Sequence, residues 1–535
     1  MKNTFFTSIL LLAAVMFISS LKYDLFEISK QLEIYNTVFK NININYVEET
    51  DPAKLTKIGV SEILSSLDPY TVYSSENDVE KAKIDLAGGI FSLGASISYI
   101  KNKLTILKIY KKSSADLSGL KPGDIITKIN NISVDNPDSM VDVLLLGKKD
   151  VIISFIRNGV ENSVLLRKKN NKIKSVPIYK ILNDKTGYIA LTKFTKGAAK
   201  EVESALKFLM VDEINGLILD LRDNPGGLLN EAVDVVNLFV EKDELVVYTK
   251  SNNDKYNQQF VTKKQPLNTD IPVTVLINEQ SASASEIVAG ALQDLDRAVI
   301  IGKQSFGKGL VQNIVSLPYG GQMKITVSKY YTPSGRCIQS YDYANSLKTG
   351  VTKRFEETQT FTTKNGRVVY NNAGIIPDIK VGVKSKFDII KEIKKDNLLF
   401  RFALNFCKTN NVTTIKDIKI KKETFNDFMS FYFLEKNEFE TKTEKTIALL
   451  KNTAKDEGLF LIDNEIKSLN NIIKKEKKEA FEKLEKEIIQ LLKNKIFEIV
   501  FYNEDFSSFT LKNDFTIEKA VSVLSSFKVY YSFLK

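Results

Sequence analysis

Three serines on alternate positions, followed by a glutamate, form the first stretch that could carry chemistry: NEQSASASEIV at residues 278–288. The run follows an apolar strand-like segment, TVLIN, and opens a helical pattern. Amide groups at the start of a helix carry partial positive charge, so a serine there can react where a developing oxyanion meets backbone donors. The same run also fits a Ser-rich helix cap without chemistry.

The chain contains no histidine, and this limits how a serine could be activated. A Ser-His-Asp triad, a Cys-His dyad and a His-ligated metal are all excluded. The usual substitute is a lysine in a nonpolar site, where the cost of burying a charge lowers the pKa of the amine. Lys308 stands out because GKQSFGKGLVQ, residues 302–312, surrounds it with glycines and apolar residues.

Two other interpretations compete for this stretch. Residues 302–308 match the phosphate-binding pattern G-x-x-x-x-G-K after a strand, but Gly309 stands where a magnesium-binding Ser or Thr is required. A strand-like run then follows instead of the phosphate-capping helix. Ser305 and Lys308 also form S-x-x-K, and K-T-G follows at 348–350, as in penicillin-recognising enzymes. The glycines oppose the helix that S-x-x-K needs, and the two motifs lie too close together.

Composition indicates a globular protein with about two to four domains. Of its 535 residues, 43% are hydrophobic and 26% are charged. The formal net charge is +11, but the basic residues are spread along the chain, so solvated helix faces are favoured over a nucleic-acid partner. Cys337 and Cys407 are too few for a disulfide framework or a four-cysteine zinc site.

The N-terminus carries an apolar run after a basic start. Lys2 precedes an uncharged stretch from Phe5 to Leu21, which is typical of a secretory signal or an uncleaved membrane anchor over residues 1–22. We therefore predict export to the cell envelope, into a periplasm. An uncleaved segment would anchor the protein in the inner membrane.

Changes in hydrophobic pattern and composition along the chain predict the elements that position these residues. A helical pattern comes first, then short β-rich runs, then alternating buried strands and helices around the Ser and Lys motifs, and finally a Lys- and Glu-rich helical region. The predicted domains are residues 26–85, 86–168, 170–383 and 384–535.

Taken together, the motifs resemble those of the carboxyl-terminal processing, or tail-specific, proteases. They occur in the family's order: SLDPYT at 66–71, SGLKPGDIITKIN at 118–130, LDLRDNPGGLL at 219–229, SASASEIVAGALQD at 281–294, SFGKGLVQ at 305–312, YYTPSGRCIQ at 330–339 and GIIPDI at 374–379. The resemblance covers about residues 26–383. It implies a mixed, multidomain α/β fold: a crotonase-like α/β protease core with an inserted PDZ domain, a helical N-terminal region and a helical C-terminal extension.

The resemblance also assigns the chemistry. It makes Ser283 the nucleophile and Lys308 the general base, and it leaves Ser281 and Ser285 structural. The expected oxyanion donors are backbone N–H groups in the NPGG turn, at Gly226 or Gly227, and at Ala284. A strand-to-helix turn without a catalytic role is the alternative for that motif.

Two polar residues compete for a third role in the site. Gln312 matches the family position whose amide orients the lysine. In a straight strand it would lie about 13 Å from Lys308, so a bend at Gly309 is required. Asp294 lies about 16 Å along the predicted helix from Ser283, and we interpret it as a structural residue.

The PDZ-like region predicts how substrate is chosen. PDZ domains add an extended chain end to a sheet edge and hold its carboxylate with backbone amides. The expected carboxylate loop comprises Phe91, Ser92, Leu93 and Gly94, and it departs from the family's usual F-x-G-I-G. Leu144, on the helix of the opposite wall, favours an apolar C-terminal residue on the substrate. Arg157 matches a family position that links docking to activation.

The expected function is therefore a serine endopeptidase with a Ser-Lys dyad that recognises substrate C-termini and cleaves or processes cell-envelope proteins. The alternative is a non-catalytic PDZ scaffold on a protease-like fold. Neither a metal nor an organic cofactor is expected. The expected partners are proteins or peptides with apolar C-termini. Because helical termini often mediate dimerisation in the family, the resemblance also implies a homodimer. The residues do not identify an adaptor.

Overall fold

The computed structural model describes residues 25–76, 78–79, 94–134, 150–167, 174–182, 185–343, 353–355, 358–382, 389–414, 417–418, 420–435, 440–501, 511 and 514–535. The predicted signal or anchor segment, Phe91, Ser92, Leu93 and Leu144 lie outside these residues. Within the described part of the chain, no helix combines the length and the apolar character that crossing a bilayer requires.

Two helices open the described chain: α1 (Leu25–Asn45) and α2 (Pro52–Ser65), followed by strand β1 (Val72–Ser74). The start of α2 is set by Asp51, whose side chain accepts the backbone N–H groups of Ala53 and Lys54, the usual device for satisfying a helix N-terminus. Pro52 follows at the first helical position, where its missing N–H costs nothing.

In the described residues between 94 and 167, a small antiparallel sheet with one short helix forms the predicted PDZ domain. Its elements are β2 (Ala95–Ile100), β3 (Lys103–Ile109), α3 (Ser114–Leu117), β4 (Ile125–Ile129), β5 (Ile132–Ser133), β6 (Asp150–Arg157) and β7 (Val160–Arg167). The strand order is β2-β3-β4-β6-β7, with β5 paired to β4. Alternating residues of these strands, such as Leu104 and Ile106, fill the core of the domain.

The described part of the predicted protease core contains two larger sheets and several hairpins. Its strands are β8 (Ile178–Ile181), β9 (Thr186–Ala190), β10 (Gly216–Asp220), β11 (Leu245–Lys250), β12 (Gln259–Val261), β13 (Val273–Ile277), β14 (Ala298–Gly302), β15 (Leu310–Ser316), β16 (Gln322–Tyr331), β17 (Tyr341–Asp342), β18 (Lys353–Arg354), β19 (Thr360–Thr362), β20 (Val368–Tyr370) and β21 (Ile379–Lys380). Its helices are α4 (Ala198–Met210), α5 (Leu229–Val236) and α6 (Ala284–Asp294).

The central sheet has the order β21-β14-β13-β10-β9-β8. All its pairs are parallel except β8 with β9. Every residue of β10, β13 and β14 is buried, as expected of strands covered on both faces. The second sheet has the order β1-β16-β11-β12, and β15 pairs with β16 as a hairpin. The expected mixed α/β fold is therefore confirmed.

Helices of the C-terminal third follow in chain order: α7 (Ile389–Lys394), α8 (Leu398–Thr409), α9 (Lys422–Glu435), α10 (Lys442–Asp456), α11 (Asp463–Lys483), α12 (Glu485–Val500), α13 (Phe515–Leu524) and α14 (Phe527–Ser532). A common core joins α7, α8, α9, α11 and α12 and contains aromatic side chains such as Phe428, Tyr432 and Phe481. Their ion pairs reach the PDZ domain through Lys108 and Glu498, 2.8 Å apart, and the protease core through Lys303 and Glu487, also 2.8 Å apart.

The last helices, α13 and α14, pack instead on the central sheet, on the face away from α4, α5 and α6. Leu524 lies so close to Gly216 that a Cβ at that glycine would come within 3.0 Å of it. The Tyr530 hydroxyl accepts the backbone N–H of Val273 at 3.0 Å. The division at residue 384 stays a prediction, but residues 514–535 belong by their packing to the protease core.

Candidate active site

Ser283 stands directly before α6 in an uncommon backbone conformation, with φ 57° and ψ −113°. A positive φ is costly for a residue with a side chain and occurs mainly where surrounding contacts impose it. Its N–H donates to Oε2 of Glu286 at 2.9 Å, and its carbonyl accepts the N–H groups of Glu286 and Ile287. Because the residue is only half-buried, its side chain stays accessible.

The two flanking serines are buried, and their hydroxyls serve the turn itself. Ser281 Oγ donates to the carbonyl of Leu221 at 2.8 Å, and Ser285 Oγ donates to the carbonyl of Asn224 at 2.9 Å. Both contacts tie the start of α6 to the loop that follows β10. These are the structural roles expected for Ser281 and Ser285.

Glu286 connects the turn at Ser283 (the serine turn) to the loop that carries Lys308 (the lysine loop). Its Oε1 accepts the Ser305 hydroxyl at 2.5 Å and the Gly307 N–H at 2.7 Å. Its Oε2 accepts the N–H groups of both Ser283 and Lys308 at 2.9 Å. The residue is 0% exposed, and burial raises the pKa of its carboxyl although the four hydrogen bonds oppose this. Sequence analysis missed Glu286, although S-x-x-E before an apolar run is a capping signature.

The Lys308 side chain is half-buried, and its Nζ lies 4.4 Å from the centroid of the Tyr70 ring. Desolvation is the largest influence on its pKa and lowers it, and the positive charge of Lys324 lowers it further, against the attraction of Glu286 and Asp68. A lowered pKa increases the neutral fraction of the amine, which is the form that can accept a proton.

The structure links Ser283 and Lys308 through their backbones, which share the Glu286 carboxylate. Among the described residues, Lys308 Nζ has no carboxylate within salt-bridge distance and no hydrogen bond to the Ser283 hydroxyl. A second link joins the two backbones, because the buried Tyr330 hydroxyl contacts the carbonyl oxygens of Ser283 and Lys308.

Gln312 lies on β15 beside a register irregularity between Val311 and Gln312. Its amide donates to the Thr326 hydroxyl of β16 at 3.3 Å and makes no hydrogen bond to Lys308 within the described part of the chain. Before the strand, the Gly309 N–H donates to the Gln339 side chain at 2.8 Å. The orienting role of Gln312 stays a prediction.

The NPGG turn packs directly against the serine turn. Gly226 and Gly227 both have positive φ, 97° and 148°. A Cβ at Gly226 would lie 2.9 Å from the Ala284 nitrogen, and one at Gly227 would lie 2.3 Å from the Phe194 carbonyl oxygen. Glycine is therefore required at both positions. The Gly226 N–H already donates to Oδ1 of Asn224 at 2.9 Å.

Two arginines support this arrangement through ion pairs. In LDLR, the Arg222 guanidinium binds the Asp220 carboxylate at 2.6 Å and reaches Asp514 at 2.7 Å. At the far end of α6, Asp294 pairs with Arg336 at 2.7 Å. The structural interpretation of Asp294 is therefore confirmed, since it anchors the end of the helix and does not approach Ser283.

The described part of the PDZ domain includes two of the predicted substrate residues. Gly94 precedes β2, and its carbonyl accepts the Ser113 hydroxyl at 2.9 Å and the Tyr110 N–H at 3.0 Å. Arg157 ends β6 and binds the Asp124 carboxylate at 2.6 Å and the Gly119 carbonyl at 2.8 Å. Both stabilise the PDZ fold, and their roles toward substrate stay predictions.

Three family models match the chain. The model described as peptidase family S41 matches residues 185–356. A PDZ domain model matches residues 105–157. The model described as the C-terminal helical domain of a probable PDZ-protease matches residues 389–524. The matches follow the order of the folded parts.

Curated relatives agree with these models. A carboxy-terminal-processing protease of Bartonella bacilliformis is 35% identical over 319 residues, which cover 58% of this chain and 73% of the relative. A probable CtpA-like serine protease of Staphylococcus haemolyticus is 27% identical over 418 residues, covering 77% of this chain and 84% of the relative. Among solved structures, the photosystem II D1 C-terminal processing protease matches with a TM-score of 0.37 and 22% identity, covering 66% of this chain and 93% of that one.

Proposed function

Because this chain belongs to the carboxy-terminal-processing proteases of peptidase family S41, we propose that it is an endopeptidase in which Ser283 attacks the substrate and Lys308 is the general base. The family makes it a serine peptidase with a PDZ domain that acts on proteins or peptides.

One observation carries the assignment of the dyad. The backbone nitrogens of Ser283 and Lys308 each lie 2.9 Å from the same oxygen of Glu286, so they are no more than about 6 Å apart. The four-carbon side chain of lysine is flexible, and rotation about its bonds can bring Nζ to the Ser283 hydroxyl.

The chemistry then needs only these side chains. Neutral Lys308 accepts the proton of Ser283 Oγ as that oxygen bonds to the carbonyl carbon of the scissile peptide. The protonated amine returns the proton to the leaving nitrogen when the C–N bond breaks. Water then attacks the serine ester and loses its proton to Lys308. Lys308 passes this proton to Ser283 Oγ as the ester bond breaks, which releases the acid and restores the free serine and the neutral amine.

The oxyanion would be held by the N–H groups of Gly227 and Ala284. The Gly226 N–H is occupied by Asn224, so Gly226 would serve through its close packing against the serine turn rather than as a donor. Donors fixed by a tight turn need no rearrangement when charge develops, and this is the main source of their catalytic effect.

Substrate recognition is assigned to the PDZ domain. A chain end that adds to the edge of its sheet would present an extended segment to Ser283, and apolar C-terminal residues are expected to be preferred. The apolar segment before α1 supports export to the cell envelope, where the substrates would be found.

A second copy of the chain is the proposed partner of α1. None of the 21 residues of α1 is buried, and large apolar side chains such as Phe26, Leu32 and Val38 are exposed on it. Exposed apolar surface of this extent is typical of an interface. Sedimentation velocity of the wild-type chain and of Leu32→Glu tests this, and a wild-type monomer at micromolar concentration contradicts it.

The function is tested with a model substrate whose C-terminal residue is varied, followed by mass spectrometry of the products. Ser283→Ala and Lys308→Ala should each lower kcat/KM by about a thousandfold or more. Lys264→Ala removes an exposed lysine and should leave activity unchanged. Continued cleavage by Ser283→Ala would overturn the proposal and favour a non-catalytic PDZ scaffold.

A further inference from the structure

We propose that Tyr70 is a positioning residue whose ring face is the resting place of the protonated Lys308 side chain, from which loss of the proton releases the amine toward Ser283. The inference rests on the proposed role of Lys308 as the general base. It also gives a function to SLDPYT, a motif that the mechanism above does not use.

The geometry is that of a cation over an aromatic face. Lys308 Nζ lies 4.4 Å from the centroid of the Tyr70 ring, within the range of about 6 Å over which the negative face of the ring attracts an ammonium group. The attraction acts on the charged amine much more than on the neutral one. Deprotonation therefore weakens the contact that holds Nζ over the ring.

The Tyr70 ring is held in place by other aromatic rings. It meets Tyr343 edge to face, with centroids 6.2 Å apart and planes at 88°. Tyr343 in turn stacks on Tyr341, with centroids 6.1 Å apart. A ring held by these contacts cannot follow the lysine, so movement of Nζ toward the serine has to break the contact between Nζ and the ring.

The backbone of the motif is fixed as well. The buried Asp68 carboxylate accepts the N–H groups of Tyr70 at 2.7 Å and Thr71 at 2.8 Å, and also the Thr71 hydroxyl at 2.9 Å. The Thr71 hydroxyl accepts the N–H of Thr326 on β16, and the Thr326 hydroxyl accepts the Gln312 amide. The Tyr70 turn is thereby tied to the strand pair that carries Gln312.

The charged groups around Lys308 act in both directions. Lys324, on β16, repels the ammonium, whereas Glu286, at the start of α6, and Asp68, in the motif itself, attract it. Desolvation outweighs these attractions and lowers the pKa of Lys308 overall. The attraction of the Tyr70 ring for the ammonium group opposes that lowering, so weakening this attraction should make the amine lose its proton at a lower pH.

The experiment changes the ring face while keeping its shape. Tyr70→Phe keeps the face and should leave the acid limb of the kcat/KM–pH profile in place. Phenylalanines with one, three and five ring fluorines at position 70 weaken the face stepwise. The acid limb should move stepwise to lower pH, by about half a unit at full fluorination.

A second readout does not depend on activity. In full-length Ser283→Ala, the pH dependence of Lys308 labelling by an amine-reactive reagent reports its proton affinity directly, and fluorination should shift it in the same direction. A flat series in both measurements overturns the Tyr70 inference while leaving the dyad intact. Activity that survives in Lys308→Ala instead overturns the proposed function on which it rests.

Discussion

The hydroxyl of Tyr330 lies 3.2 Å from the main-chain carbonyl oxygen of Ser283 and also contacts that of Lys308. The residue is 1% exposed, and burial raises the pKa of its hydroxyl well above the ordinary value, so the group stays protonated. One hydroxyl on β16 thus holds the turn of the nucleophile and the loop of the base at a fixed separation.

Tyr330→Phe removes this hydroxyl and little else. We expect kcat to fall about tenfold with KM nearly unchanged, because a buried hydrogen bond is worth about 1 kcal/mol and the loss affects alignment rather than binding. Tyr331→Phe is the matched control, since that ring stacks on Tyr248 instead. Equal kinetics for both variants would show that the hydroxyl does not align the site.

Glu286→Gln should be more damaging. The carboxylate accepts four hydrogen bonds, and an amide would turn its NH2 group toward donors. We expect a loss of about 1–3 kcal/mol in the free energy of unfolding and a fall in kcat/KM of about a hundredfold. Urea unfolding and peptide kinetics check both, with the exposed Glu203→Gln as control. Wild-type kinetics in Glu286→Gln would contradict the arrangement.

Lys324→Gln tests the electrostatics of the base. The positive charge of Lys324 lowers the pKa of Lys308, so its removal should raise that pKa. Since the neutral amine is the active form, the acid limb of the kcat/KM–pH profile should move to higher pH. Lys329→Gln, on the same strand, should leave the limb in place. A shift to lower pH, or equal shifts in both variants, would contradict the assignment.

Gly227→Ala should abolish activity by disrupting the turn. The added Cβ would lie 2.3 Å from the Phe194 carbonyl oxygen, and φ at this position is 148°. Gly159→Ala, in the β6–β7 turn, also has positive φ but meets no atom within 4 Å. It therefore controls for backbone strain alone. The melting temperature should fall much further for Gly227→Ala, and similar falls would remove the steric argument.

The contact between the PDZ domain and α12 should weaken in acid. Glu498 binds Lys108 at 2.8 Å and Lys495 at 2.5 Å. Burial raises the pKa of its carboxyl, but the two lysines together outweigh burial and hold the pKa at about 2 against the ordinary 4.5. The stabilisation is therefore complete above pH 4.5 and is lost as the pH falls toward 2.

Hydrogen exchange of β3 at neutral pH and at pH 3 checks this expectation. Protection should be lower at pH 3 in the wild-type chain, and Glu498→Gln should show the lower protection already at neutral pH. Protection that is the same in the wild type and the variant at neutral pH would show that the pair contributes nothing to docking.

Sequence patterns predict the features of this protein that depend only on residues close together in the chain. The strand before Ser283, the helix after it and the glycines at 226 and 227 follow from periodicity and turn chemistry. Glu286 was missed because its capping role explains it locally, while its contacts to Ser305 and Lys308 arise only when two distant segments meet. Tyr70 was missed for the same reason, since nothing in SLDPYT shows which side chain its ring will cover.

The packing of residues 514–535 could not be predicted from the sequence either. Their sequence has the same helical pattern as the Lys- and Glu-rich region before them. Their place on the central sheet is shown only by the contact of Leu524 with Gly216 and by the Arg222–Asp514 ion pair. Such a fit depends on the shape of both surfaces and not on the period of either segment.

That placement affects how the molecule is made. Strands β10, β13 and β14 have one face covered by α13 and α14, so this face of the sheet stays uncovered until residues 514–535 have been synthesised. The central sheet can therefore complete its packing only after these two helices have left the ribosome.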